Sequence, residues 1–277
     1  MAILSGDGIV AGLPVGTSFF FFKAAATAKA IGTPHALGLS SAGLPAIFAA
    51  GSPGLSGATI DGTSSTLGGN IPFTNPGSGN SYLAKMSVAS STGIIGVGTF
   101  DMLWYNSGIS VTTTTGQTIN SVTLPSRDNA GGTNGVGVMA WLYCATATTN
   151  AGAVANTTIT YTNSAGTGSR TGSLVQSWPA TAVAGTFIPF TLQAGDLGVK
   201  SIQTLTLGTS YVTGTVNLFL TRDIAFISLA AAASGQVMDW AQLGFPQLYN
   251  GTAMSFYVMP SATALGIIIG DIAIAQG

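Results

Sequence analysis

From about Met102 onward, the sequence consists of short runs in which apolar residues alternate with threonine or other small residues. In "TTITYTN" this period of two directs Ile159 and Tyr161 to one face of a strand, and we expect that face to point into the core. Glycines beside Asn, Asp, Ser or Thr separate the runs, as is typical of turns. The pattern predicts an all-β domain over residues 96–277, an antiparallel, jelly-roll-like β-sandwich.

The run "VGVMAWLYC" differs from the others because both of its faces are apolar. One face carries Val138, Ala140 and Leu142, and the other carries Met139, Trp141 and Tyr143. A strand of this kind lies in a sandwich interior or under a subunit contact, so Met139, Trp141 and Tyr143 are candidate interface residues. The run also contains Cys144, the single cysteine of the chain, which we expect to be a buried thiol.

The first 95 residues are predicted to form an extended N-terminal arm that anchors the protein. Within it, "FFFFKAAATAKAI" predicts a short helix near residues 19–31, because Ser18 can cap it and Gly32 can end it. The following Gly- and Pro-rich stretch contains apolar clusters, so we expect it to pack against other chains or to wrap around this one. The candidate contact residues of this region are Phe19, Phe20, Phe21, Phe22, Ile47 and Phe48. Deleting residues 1–80 is predicted to leave a β-rich fold.

Charged residues are scarce: they make up 5% of the chain, against roughly a quarter in ordinary globular domains. All eight acidic residues are aspartates, and seven basic residues bring the net charge to −1. A solitary protein of this composition lacks the like-charge repulsion that keeps domains apart in solution. The composition therefore favours a protein that functions inside an assembly. The few basic residues are too dispersed to form a patch that would bind nucleic acid.

A positive mean hydropathy of +0.50 raises the question of a membrane span. A spanning helix needs about 20 mainly apolar residues, but the candidate runs are short or rich in glycine and are interrupted by Lys23, Arg222 and Asp271. No membrane span is predicted. The N-terminus has neither a basic start nor a continuous apolar run, so no signal peptide is expected.

The residues needed for common catalytic and metal sites are few. His35 is the only histidine, and together with one cysteine it cannot supply the ligands of a zinc site. We predict a packing role for His35 and no catalytic, cofactor or metal site. Two aspartates follow arginines, in "SRDN" (Arg127, Asp128) and "TRDI" (Arg222, Asp223), and are predicted to form ion pairs or to stabilise turns. A hydrolase would need two aspartates in one cleft, and the sequence selects no pair.

Three longer passages carry a resemblance. They are "FDMLWYNSGISVTTTTGQTINSVTLPSRDNAGGTNGVGVMAWL", "TTNAGAVANTTITYTNSAGTGSRTG" and "PATAVAGTFIPFTLQAGDLGVKSIQTLTLGTSYVTGTVNLFL". Over roughly residues 100–220 the chain resembles virion structural proteins of tailed bacteriophages. This resemblance implies a non-enzymatic particle component without a cofactor, either a capsid decoration (cement) protein or a minor capsid protein on the phage head. Its partners would be copies of itself, expected to form a trimer, and other capsid proteins such as the major capsid protein.

A second hypothesis is a receptor-binding tail or fibre protein, or a carbohydrate-binding protein. Such a function requires exposed aromatic side chains with polar neighbours on long loops. The segments "SWPATAVAG" and "DWAQLGFPQLYNG" come nearest to this pattern.

Overall fold

The computed structural model describes residues 3, 5–24, 30–49, 51–63, 68–92, 94–231 and 233–277. The strands are β1 (Thr17–Lys23), β2 (Gly43–Leu44), β3 (Ala58–Thr59), β4 (Ser81–Ser90), β5 (Ile94–Tyr105), β6 (Gln117–Thr118), β7 (Val138–Thr146), β8 (Thr158–Asn163), β9 (Arg170–Leu174), β10 (Phe187–Thr191), β11 (Val199–Thr206), β12 (Thr215–Ser228), β13 (Gly235–Asp239), β14 (Gln247–Leu248), β15 (Met254–Pro260) and β16 (Ile268–Gln276). The helices are α1 (Gly6–Gly12), α2 (Leu37–Ser40) and α3 (Trp240–Leu243).

The strands form two antiparallel sheets. Sheet 1 has the order β13-β4-β16-β1-β2, with β14 beside β4. Sheet 2 has the order β15-β5-β12-β7-β10-β9-β8-β11-β6, with β3 beside β5. The strand pairings are antiparallel, and the order within each sheet is not sequential. The predicted class, an antiparallel, jelly-roll-like β-sandwich with a short helix near its N-terminus, is confirmed.

The two longest strands, β5 and β12, join two lobes. Sheet 1 packs against β15 and one half of the β5–β12 pair around a core that includes Phe21, Met86 and Ile227, and we call this unit the first lobe. The other half of the pair belongs to the curled remainder of sheet 2, whose interior core includes Trp104 and Trp178; this is the second lobe. Register shifts at Leu220/Thr221 and Asp223/Ala225 lie where the lobes meet. Such irregularities bend a strand and change which face its side chains occupy.

The predicted strand faces are confirmed. Ile159 and Tyr161 are fully buried in the second-lobe core. The two apolar faces of β7 pack in different cores. Leu142 and Cys144 lie in the second-lobe core, whereas Trp141 lies in a third core on the opposite face of sheet 2. The expected burial of the Cys144 thiol is also confirmed.

The helix predicted near residues 19–31 is wrong over Phe19–Lys23, which belong to β1. Each residue of β1 pairs with β16, so the backbone finds its hydrogen-bond partners in a sheet. Phe21 and Lys23 are buried, and the buried Lys23 ammonium donates to the carbonyl oxygens of Ser41 and Pro45 at 3.2 and 2.6 Å. Burial lowers the pKa of Lys23 to about 8. Residues 25–29 of the predicted helix lie outside the described residues, and the short helix that is present, α1, lies earlier in the chain.

The extended arm over residues 1–95 also needs correction, because this region supplies strands to the body of the protein. The C-terminal strand β16 lies between β1 and β4 in sheet 1. Of the two expectations for the Gly- and Pro-rich stretch, wrapping around its own chain is the one observed for Phe48 and Ile60, which are buried against sheet 2. Deleting residues 1–80 would expose one edge of β16, so we no longer expect that truncation to leave a stable fold.

Candidate functional site

Three charged side chains form a buried cluster where the two lobes meet. Arg222 on β12 lies directly opposite Asp101 on β5 in the strand register. Arg127 joins them from a loop: its Nε lies 3.1 Å from the Asp101 carboxylate, and the Nη2 of Arg222 lies 3.8 Å from the same oxygen. The backbone N–H of Ala253 donates to the other carboxylate oxygen at 2.8 Å. Burial acts to raise the pKa of Asp101, whereas the two arginines and the Ala253 N–H act to lower it.

The two Arg-Asp pairs of the sequence therefore do not pair internally. Both arginines point to Asp101, whereas Asp223 lies beyond Arg222 on the other face of β12 and reaches the surface. Adjacent residues of a strand face opposite sides, which explains why Arg222 and Asp223 separate. Neighbouring protein desolvates the Asp223 carboxyl enough to raise its pKa to about 6.

Asp128 confirms the predicted turn-stabilising role. Its carboxylate accepts hydrogen bonds from the backbone N–H groups of Ala130, Gly132, Gly135 and Val136, at 2.7–3.1 Å. Burial alone would raise the pKa of Asp128, but these four donors hold it below its usual value. One side chain therefore shapes the whole loop that precedes β7.

A fourth aspartate, Asp196, connects the loop before β11 to strands β8 and β9. Asp196 pairs with both Nε and Nη2 of Arg170, at 2.9 and 3.1 Å, and accepts from the Tyr161 hydroxyl at 2.5 Å. The hydrogen bonds from Arg170 and Tyr161 lower the pKa of Asp196 to about 2.

This low pKa leads to a prediction for acid stability. Asp196 has a lower pKa in the folded than in the unfolded chain. Its ionised carboxylate therefore stabilises the fold above about pH 4, and this stabilisation is lost as the pH falls toward about 2. We expect the difference in Tm between the wild type and Asp196→Asn to be largest above about pH 5 and to shrink over that acid range. Thermal unfolding followed by circular dichroism at several pH values measures this, and a difference independent of pH would contradict it.

The described residues offer little for metal or nucleophilic chemistry. No group of three or more His, Cys, Asp or Glu side chains among them could hold a metal ion. His35 is buried, and its backbone bridges Thr186 and Val258, in agreement with a packing role. No helix in the described part of the chain is long and apolar enough to cross a membrane.

A cleft of about 500 Å³ opens above the charged cluster. Its walls come from four chain segments, residues 59–61, 79–80, 125–127 and 247–250. Asp61 is the one acidic residue among the described residues that line the cleft. Part of the segment "DWAQLGFPQLYNG", which the sequence suggested for carbohydrate binding, forms one wall.

The outer face of sheet 1 is the other notable surface. The strand register aligns Leu44, Phe22, Ile269 and Ala89 in one row across four strands. The next row contains Phe20, Asp271, Ser87 and Val237. Phe20, Leu44 and Val237 are more than half exposed, and Ile269 is 39% exposed. Lys85 and Asp271 form an ion pair at 2.9 Å, and the exposed Asp239 lies opposite Lys85 in the neighbouring row, so the face is largely apolar and carries little net charge.

No protein-family model matches the sequence, and no curated protein matches it. Solved structures of infectious bursal disease virus give weak superpositions. The structure of the Gt strain shares 11% identity, with 94% of this chain and 81% of that chain covered and a TM-score of 0.20. The crystal structure of the VP2 subviral particle shares 10% identity, with 95% and 81% covered and a TM-score of 0.19. TM-scores this low do not establish a common fold.

The nine predicted contact residues fall into two groups. Phe21, Phe48, Trp141 and Tyr143 are buried within the chain's own cores, and Phe19 and Met139 pack against those cores. Their apolar character therefore reflects folding, and we withdraw the six from the contact set. Phe20 and Ile47 are exposed, and Phe22 is half-buried on the outer face of sheet 1.

Leu44, Val237 and Ile269 are exposed residues of this face that were not predicted. A signal was present for Ile269, because "IIGDIAI" alternates and the outward position of Asp271 implies the same face for Ile269. For the cleft, the sequence suggested the wall at residues 247–250 but not the other three, because the walls are distant in the sequence.

Proposed function

We propose that this protein is a non-enzymatic structural component of a bacteriophage particle, either a capsid decoration (cement) protein or a minor capsid protein on the head surface. The observation that carries the proposal is the exposed apolar outer face of sheet 1. Five strands spaced by about 4.8 Å make this face about 20 Å wide. Exposed apolar side chains grouped on one face commonly mark interaction sites.

The occupant that we propose for this face is a second copy of the chain. The face carries no net charge across the Lys85–Asp271 pair, and the chain as a whole has a net charge of −1, so two copies meet without strong repulsion. Cyclic association of such copies, with three as the expected number, would bury the apolar rows. The proposed second partner is the major capsid protein, which would contact the surface of the oligomer that is left exposed.

The arrangement of the basic residues supports a partner other than nucleic acid. Arg127, Arg222 and Lys23 are buried. Arg170 and Lys85 are paired with aspartates. Phosphate binding depends on several accessible cations on one surface, and the described part of the chain leaves few of its basic side chains for that role.

The oligomeric state tests the proposal. We expect the wild type to form a stable oligomer, and Ile269→Lys or Val237→Lys to weaken association at least tenfold, because each would bury an unpaired charge in the contact. Sedimentation velocity and light scattering at several concentrations measure this. Val175→Lys and Leu197→Lys are matched controls, since both residues are exposed on the second lobe, away from sheet 1.

A monomeric wild type, or face variants that associate as the wild type does, would contradict the use of this face. A cryo-EM map of the particle then tests the location. Density for the chain on the head surface would support a decoration or minor capsid role, whereas density on the tail would favour the receptor-binding alternative.

A further inference from the structure

The cleft between the lobes has the features of a ligand site that assembly does not require. Its volume of about 500 Å³ lies within the range of roughly 300–1,000 Å³ that is typical of small-molecule sites. It is lined by polar side chains from four segments, together with the apolar surfaces of Ile60, Pro125 and Leu248. We propose that this cleft binds an uncharged, hydroxyl-rich ligand, namely a neutral saccharide.

The floor of the cleft is held rigidly. Arg127 donates from Nη2 to the carbonyl oxygens of Ile60 and Met102, at 2.7 and 3.0 Å, while its Nε contacts Asp101. On the rim, the Asp61 carboxylate accepts from both the backbone N–H and the hydroxyl of Thr63, at 2.9 and 2.8 Å. A site of this kind loses little conformational entropy when a ligand binds.

The charges around the cleft favour a neutral ligand. Arg127 is already compensated by Asp101 beneath the floor. Asp61 also lines the cleft, so the lining contains one side chain of each sign. A charged ligand would therefore meet a like charge as well as an opposite one, whereas hydroxyl groups carry no such penalty.

Hydrogen-bonding groups are available where a sugar would lie. The side chains of Thr59, Ser126 and Asn250 are exposed and make no hydrogen bond to other described residues. The amide of Gln247 donates to the Asn80 oxygen at 3.1 Å, which orients the Asn80 side chain at the rim. Hydroxyl and amide groups both donate and accept, as sugar hydroxyls do, so they can pair with them in either direction.

Tyr249 supplies the aromatic surface. Tyr249 is one of the residues that line the cleft, and it is half-buried. The Arg222 guanidinium lies 4.9 Å from the ring centroid and the hydroxyl donates to the Asn129 carbonyl at 3.3 Å, so the ring is held in place. An amphipathic ring of this kind suits a sugar, whose C–H face is apolar and whose edges are polar.

A glycan array with neutral and acidic oligosaccharides as probes tests the inference on the full-length protein. We expect a subset of neutral glycans to bind, and titration calorimetry with the strongest of them to give a measurable Kd. The double variant Ser126→Ala with Asn250→Ala should weaken that Kd at least tenfold, and Ser126→Trp should abolish binding by filling the cleft. Thr171→Ala and Ser173→Ala, both exposed on β9, are the controls and should bind as the wild type does.

The outcomes separate this inference from the proposed assembly role. Ile269→Lys, which should disrupt association, is expected to keep full glycan binding, because Ile269 lies on the outer face of sheet 1 and does not line the cleft. Binding of acidic glycans alone, binding that Ser126→Trp leaves intact, or no binding on the array would each overturn the inference.

Discussion

Asp101→Ala is expected to lower the free energy of unfolding by about 3–5 kcal/mol, the usual cost of removing one partner from a buried ion pair. The substitution would leave two buried arginines, Arg127 and Arg222, without their shared carboxylate. The N–H of Ala253 would also lose its acceptor. Because the free energy of unfolding of a domain is only about 5–15 kcal/mol, this substitution would remove a large part of the stability of the protein. Urea unfolding followed by circular dichroism measures it.

A matched control comes from the surface pair of sheet 1. The Nζ of Lys85 lies 2.9 Å from the Asp271 carboxylate, but the two side chains are 44% and 38% exposed. Lys85→Ala is therefore expected to lower the free energy of unfolding by about 1 kcal/mol or less. Within the cluster, Arg127→Met should lower the free energy of unfolding more than Arg222→Met, because Arg127 donates to two backbone carbonyls and Arg222 to one, that of Gln247. Equal losses for Asp101→Ala and Lys85→Ala would show that burial does not govern this interaction.

Asp128→Ala is expected to lower the free energy of unfolding by about 3 kcal/mol or more. The substitution removes the acceptor of four backbone N–H groups in one loop, and hydrogen bonds to a charged group contribute about 1.5–3 kcal/mol each without being additive. The amide protons of residues 130–136 should exchange with solvent markedly faster, since the loop loses the group that shapes it. Urea unfolding and hydrogen exchange read by mass spectrometry measure the two effects.

Asp239→Ala provides the comparison for this loop. Asp239 caps α3 by accepting from the N–H groups of Ala241 and Gln242, but it is exposed, so its loss should cost about 1 kcal/mol. Asp128→Asn should fall between the two alanine variants, because an amide keeps only one of the two acceptor oxygens. Unchanged exchange in the loop of Asp128→Ala would contradict the role assigned to this carboxylate.

Several features of the fold could be predicted from short stretches of sequence. The alternation in "TTITYTN" placed Ile159 and Tyr161 in the core, and the doubly apolar run at β7 indicated a strand buried on both faces. A turn-stabilising role was one of the two roles predicted for Asp128 from its place beside Arg127 in "SRDN", and it is the one observed. These predictions succeed because side-chain alternation and turn chemistry depend on residues only a few positions apart.

The aromatic run at residues 19–22 shows where such reasoning fails. Four consecutive phenylalanines have no alternation, and the alanines that follow favour a helix. The segment nevertheless forms a strand, because β16 offers a full row of hydrogen-bond partners and Phe21 is buried against Phe256, with ring centroids 4.4 Å apart. Tertiary pairing outweighs a local preference that is small for each residue.

The sequence by itself determined the class of the protein: a β-rich chain with almost no charge and few residues suited to catalysis or metal binding. Only the tertiary structure decided that Arg127 and Arg222 share Asp101, that Phe20 and Ile269 lie on one open face, and that four separate segments enclose a cleft. The physical reason is the range of the interactions. Alternation and turns are determined between neighbours along the chain, whereas ion pairs, sheet faces and clefts depend on which distant strands come together when the apolar faces are buried.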